Sequence, residues 1–120
     1  MILVDSNILI YSADEKYKNL RDLFKRPDTI ISIISRLEVL GYHRITAEQI
    51  IYFETIFKVT DVVQITEPVI DQAIYYRQKK SMSVADSIIA AMAKLYHCDL
   101  YTNNGEDFRN IKDFKIVNPL

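Results

Sequence analysis

The sequence predicts an α/β fold: one domain over residues 1–120, with a central, mostly parallel sheet of four to five strands and helices on both faces. Two observations carry this. Short apolar runs rich in β-branched residues alternate with longer stretches of helical spacing, the pattern of βα units whose strands are covered on both sides. No repeat, linker or compositional break divides the chain, and 120 residues are enough for a single core.

Residues 1–5, "MILVD", read as a buried strand. From Asp14 to Arg26, Tyr17, Leu20, Leu23 and Phe24 fall at helical spacing among charges, and Pro27-Asp28 ends that helix. "TIISII" (29–34) is a second strand, after which Ser35 caps a helix running to about His43. Thr46 and Gln49 form a capping-box pattern at the head of a helix with Ile50, Phe53, Ile56 and Phe57 on one face. "VVQIT" (62–66) is a third strand, and Glu67-Pro68 opens the next helix, proline suiting a first turn. The alanine-rich "SMSVADSIIAAMAKLYH" is a helix buried on most sides, "LYT" (100–102) a fourth strand and "FKIVN" (114–118) a fifth. Two helices separate the second and third strands, so the alternation is not strict.

Hydrophobic residues make up 49% and charged residues 26%, as in an ordinary soluble globular protein. No apolar run approaches the roughly 18 residues of a membrane span, and no basic segment precedes the first apolar residues as in a signal peptide. The one cysteine, Cys98, has no internal partner and no Cys/His cluster accompanies it, which points to a reducing, cytoplasmic setting and away from zinc. A net charge of -1 gives no global support for nucleic-acid binding, so any such contact must be local. Arg77, Lys79 and Lys80 in "YYRQKK" are the densest candidates for RNA contacts, although basic residues also favour a helix C-terminus.

In a parallel sheet, ligands bind beyond the carboxyl ends of the strands. Asp5 lies at such an end, Glu38 and Asp86 in first helical turns, and Asn104, Glu106 and Asp107 just past the fourth strand. Each has a structural explanation. "SRLE" and "SVAD" fit capping patterns, "NGED" fits an asparagine cap with acids behind it, and Asp5 would cap a short helix from Ser6 to Tyr11. Converged carboxylates, in contrast, repel within about 4–6 Å unless a cation joins them, and oxygen donors suit Mg²⁺ or Mn²⁺. Such ions serve phosphoryl chemistry.

"ILVDSNILI", "ISRLEVLGYHRIT" and "SVADSIIAAMAKLYHCDLYTNNGEDF" together resemble the PIN-domain family, in particular its small VapC-type toxins, over essentially the whole chain. The resemblance implies a PIN-like sheet and a metal-dependent endoribonuclease. Asp5, Glu38, Asp86 and Asp107 would be the catalytic acids and the ligands of one or two Mg²⁺ or Mn²⁺ ions. Ser6, Asn7, Thr102 and Asn104 fall on the family's supporting positions; Asn104, standing where an aspartate is also common, cannot be a general base. Cleavage would leave a 5′-phosphate and a 3′-hydroxyl. The family also implies a homodimer and a small VapB-like antitoxin that blocks the site. Relatives often cap the alanine-rich helix with glycine, whereas here Cys98 or Asp99 must serve. His43 and His97 are not at motif positions; surface or interface packing is expected of His43 and a helix C-terminal role of His97.

Two other functions compete. A phosphatase or phosphoacceptor domain needs an acid two residues after Asp5, or an acidic pair near the first strand, and has neither, since Asn7 occupies the first of these positions. A non-catalytic PIN-like module that only binds RNA or protein would gain nothing from clustered unpaired acids.

Overall fold

The first strand is the central one. In the computed structural model, which describes residues 1–120, β1 (Ile2–Val4) lies between β2 (Thr29–Ser32) and β4 (Asp99–Tyr101). The full order is β3-β2-β1-β4-β5, with β3 at Asp61–Val63 and β5 at Ile116–Val117, and every neighbouring pair is parallel. The expected four to five mostly parallel strands are thus five, all parallel.

Helices α1 (Ser6–Ser12), α2 (Ile33–Leu40), α3 (Ala47–Val59), α4 (Glu67–Lys79) and α5 (Val84–Leu95) supply the outer layers. Strand periodicity sorts the core. Leu3, Ile30 and Leu100 pack with α4 and α5, whereas Ile2, Val4 and Ile31 pack with α1, α3 and the segment after α1. Seven consecutive residues of α5, Ser87–Ala93, are buried, as its composition predicts. No helix is long and apolar enough to cross a membrane.

Several boundaries differ from expectation: β4 is 99–101 and not 100–102, β5 is 116–117 and not 114–118, and α2 ends at Leu40 and not near His43. The strand over 29–34 stops at Ser32, whose hydroxyl accepts from the Ile34 amide at 3.1 Å and caps α2. Ile33 and Ile34 are therefore helical despite their β-branching, because β2 has partners only over the length of β1 and β3. The third strand is 61–63 and not 62–66, since it is an edge strand and pairs with β2 alone. The helix over 14–26 is a 3₁₀ segment, Glu15–Lys25, interrupted at Tyr17. Its sequence is mostly charged, so the burial of Leu20 and Phe24 decides its path more than propensity does. Finally, α5 ends through His97, at φ 55°, with the Cys98 amide donating to Ala93 O at 2.9 Å. His97, not Cys98 or Asp99, takes the left-handed position that glycine suits.

Leu20, Phe24, Phe53 and Tyr76 belong to the core, whereas Tyr75 is 51% exposed. The apolar residues most open to solvent are others: Leu37, Ile51 and Val59 are each 68–69% exposed.

Candidate active site

Asp5 follows β1 directly, and the Asp5 amide continues the sheet by donating to Tyr101 O at 2.9 Å. It does cap α1: Oδ1 accepts from the Ser6 amide at 2.8 Å. Capping leaves Oδ2 facing the end of β4, where the Thr102 hydroxyl donates to it at 2.8 Å and Asn7 Nδ2 approaches at 3.3 Å. Cap and candidate ligand are therefore one side chain. Asp5 is only 6% exposed, and no basic side chain pairs with it. Burial pushes its carboxyl up to about 6; bonds from Thr102 and Ser6 oppose this, and the charges of Asp86 and Glu38 add to it.

Ser6 joins two acids. Its amide holds Asp5, and its hydroxyl donates to Glu38 Oε1 at 2.8 Å. The same Oγ lies 2.9 Å from the hydroxyl of Ser35, which is fully buried. A hydroxyl has one proton to give, so Glu38 and Ser35 share the single Ser6 donor. The helix start differs here from the sequence expectation. Ser35 lies inside α2, and Glu38 sits in the second turn and not the first, because Ser32 begins the helix. The three-residue spacing that suggested a capping box instead places Ser35 and Glu38 on one helical face.

Asn7 closes the opposite side. Its Nδ2 also donates to Thr102 Oγ1 at 3.2 Å, while its Oδ1 accepts from the Asn103 amide at 3.0 Å. Thr102, fully buried, accepts in turn from the Asn104 amide at 3.0 Å. Asn103 is thus a further member of the network, and Asn104 enters it only through its backbone. Asn104 precedes the short turn Gly105–Phe108 without capping it by its side chain, so the capping explanation does not hold there.

Asp86 lies in the first turn of α5, where Ser83 Oγ accepts from its amide at 3.0 Å, so the cap expected of "SVAD" is present. Its carboxyl is nonetheless raised, first by burial and then by the charges of Asp107 and Glu38, with Ser83 and Lys80 opposing. Asp107 and Glu38 are exposed. The fields of the four acids therefore overlap at one edge of the sheet. Their side chains do not close on one point: no three acids, histidines or cysteines stand within reach of a single ion. As a donor set they are all oxygen, unpaired and mutually destabilising, which fits a hard divalent cation.

Of the basic candidates, only Lys80 reaches this edge, Nζ donating to Asp107 O at 2.8 Å. Arg77 Nε donates to Met82 O at 3.2 Å, and Lys79 lies over the Tyr75 ring at 5.4 Å. Neither histidine has a bond to the acids.

Comparison with curated proteins by sequence gives no significant match. Among solved structures, a toxin-antitoxin complex from Klebsiella pneumoniae contains a similar chain, 26% identical with a TM-score of 0.80, covering 100% of this chain and 98% of that one. A DNA-bound VapBC from Salmonella typhimurium gives 0.81 at 20% identity, covering 98% of each chain. FitAcB from Neisseria gonorrhoeae gives 0.76 at 23%, covering 99% of this chain and 98% of that one. At these two lower identities the likeness is one of fold. The PIN domain model matches residues 2–113, so the chain belongs to the PIN-domain family.

Proposed function

We propose that this chain is a Mg²⁺- or Mn²⁺-dependent endoribonuclease acting in the cytoplasm as the toxin of a toxin–antitoxin pair. The observation that carries the reading is Asp5, a buried carboxylate without a counter-charge, held from both sides at the carboxyl end of the central strand. A protein that only needed a helix cap there would incur no such cost with asparagine or serine.

Asp5, Glu38, Asp86 and Asp107 are the residues that would hold one or two ions. When bound, a divalent ion lowers the pKa of water and neutralises charge on the scissile phosphate. The chain's own residues supply position. Thr102 and Asn7 fix the Asp5 carboxylate, and Ser6 locks Glu38 to it. Asn7 and Thr102 join the ends of β1 and β4 and, with Ser6, hold Asp5 and Glu38 in one bonded network. In-line attack of water would leave a 5′-phosphate and a 3′-hydroxyl.

Support for a protein partner is the full-length likeness to a chain of the Klebsiella toxin-antitoxin complex. Exposed Leu37 and Ile51 add apolar surface of the kind a VapB-like antitoxin or a second copy in a homodimer would cover. Purified protein incubated with structured and single-stranded RNA should cut it with Mn²⁺ and not with EDTA, and cleaved 5′ ends should carry phosphate. Asp86→Asn should lower the rate at least about a hundredfold. Expression of the chain without a partner should arrest growth, and Asp86→Asn should relieve the arrest.

One observation favours the alternative, a non-catalytic PIN-like module that binds RNA or protein: the acids stand open and not closed round a point. RNA left intact under both ions, together with equal growth of cells expressing wild type and Asp86→Asn, would overturn the nuclease reading, and binding of RNA or a partner protein without cleavage would support the module.

A further inference from the structure

The chain's small net negative charge requires any phosphate-binding surface to be local, and one cleft meets that need. It has a volume of about 340 Å³ and lies between the C-terminal end of α4 and the segment after the last acid, lined by Tyr75, Lys79, Lys80, Asn110, Lys112 and Asp113. Tyr75 is half exposed, and Lys79 Nζ stands 5.4 Å from its ring centroid. Lys79 and Lys112 are exposed, and neither has an acidic partner. The single carboxylate, Asp113, is already engaged: Oδ2 accepts from the Tyr76 hydroxyl at 2.7 Å and lies 3.9 Å from Lys94 Nζ. The cleft meets the candidate active site through Lys80, whose ammonium bonds Asp107 O.

We propose that this cleft is a subsite for single-stranded RNA flanking the cleaved bond, with Tyr75 as a stacking platform and Lys79 and Lys112 as phosphate contacts. An exposed ring beside lysines, with an amide (Asn110) at hand, is the combination that holds unpaired bases and their backbone. An acidic peptide would use the lysines and leave the ring idle. Arg77 belongs elsewhere: it borders a separate groove with Ile70 and Ile74 on the other side of α4. The subsite deepens the ribonuclease reading and rests on it for the word substrate, though not for binding itself.

The test measures binding in EDTA, where cleavage is stopped, by fluorescence anisotropy of a short labelled single-stranded RNA of mixed sequence. Tyr75→Ala should weaken binding roughly tenfold and Tyr75→Phe should leave it unchanged, because stacking needs the ring and not the hydroxyl. Lys112→Ala should lower the slope of log affinity against log salt by about 0.7. In the cutting assay both alanine variants should raise KM and leave kcat in place. Both residues are exposed, and unchanged melting temperatures would show that the fold is intact. Affinity, salt slope and KM that ignore these substitutions, or wild type that binds no RNA, overturn the subsite. Binding with the predicted dependence but no cleavage under Mg²⁺ or Mn²⁺ overturns the nuclease reading and leaves the subsite standing.

Discussion

Asp5 shows how far single residues can be read. Its apolar approach in "MILVDSNILI" marks it as anomalous from sequence alone, and its burial in the fold gives the anomaly a size. Its carboxyl is held at about 6, above its ordinary 3.8. The folded state therefore binds that proton more tightly than the unfolded state does. The resulting stabilisation is full below about 3.8 and is lost as pH rises through about 6, with a ceiling near ~3 kcal/mol. In metal-free protein, wild type should gain stability relative to Asp5→Asn as pH falls across that window, measured by urea midpoints; a constant difference would contradict the account. Ser35 was not legible as a site residue, because the same S-x-x-E spacing serves a capping box and a helical face alike. The choice depends on where the helix starts, and a hydroxyl at Ser32 decides it. Ser35→Ala should cost about 1–2 kcal/mol, as a buried hydroxyl bonded to Ser6 is lost, and should lower RNA cleavage by loosening Glu38. An unchanged urea midpoint and rate would remove Ser35 from the site.

Among elements, the order of strands and helices follows from periodicity, and their ends do not. α3 begins at the predicted capping box, with Thr46 and Gln49 exchanging both bonds, because that signal is local. β2 ends earlier than its apolar run, since a strand extends only as far as its neighbours pair with it, and pairing is invisible in one chain's sequence. The end of α5 lies between these cases: the lack of glycine and a helix C-terminal role for His97 are visible, but not that His97 takes the left-handed position itself. His97 occupies the left-handed region at φ 55°. His97→Gly should therefore raise stability by roughly 1 kcal/mol, seen as a melting temperature a few degrees higher. A lower melting temperature would mean that the imidazole makes a contact that outweighs the strain.

At the scale of the molecule, the sheet order β3-β2-β1-β4-β5 puts a wholly apolar, fully buried strand in the middle and aims its carboxyl end at the acids. Alternation of strands and helices predicted a parallel sheet but could not rank the strands, because every apolar run reads alike. The centre bears the load of the fold: Leu3 and Leu100 are fully buried neighbours on β1 and β4. Leu100→Ala should cost about 2–5 kcal/mol in urea unfolding, and a cost under about 1 kcal/mol would place the core elsewhere. The frame is set by that packing, and the network of Ser6, Asn7 and Thr102 transmits it to Asp5 and Glu38.

The central claim is that these four separate acids form one divalent-cation site. Thermal unfolding with and without Mn²⁺ tests it most directly, because it needs no substrate. At about a hundred times its dissociation constant, the ion should stabilise wild type by about 2.7 kcal/mol, several degrees in melting temperature. Asp5→Asn and Asp86→Asn should each lose most of that rise. No rise in wild type, or an equal rise in both variants, would contradict it.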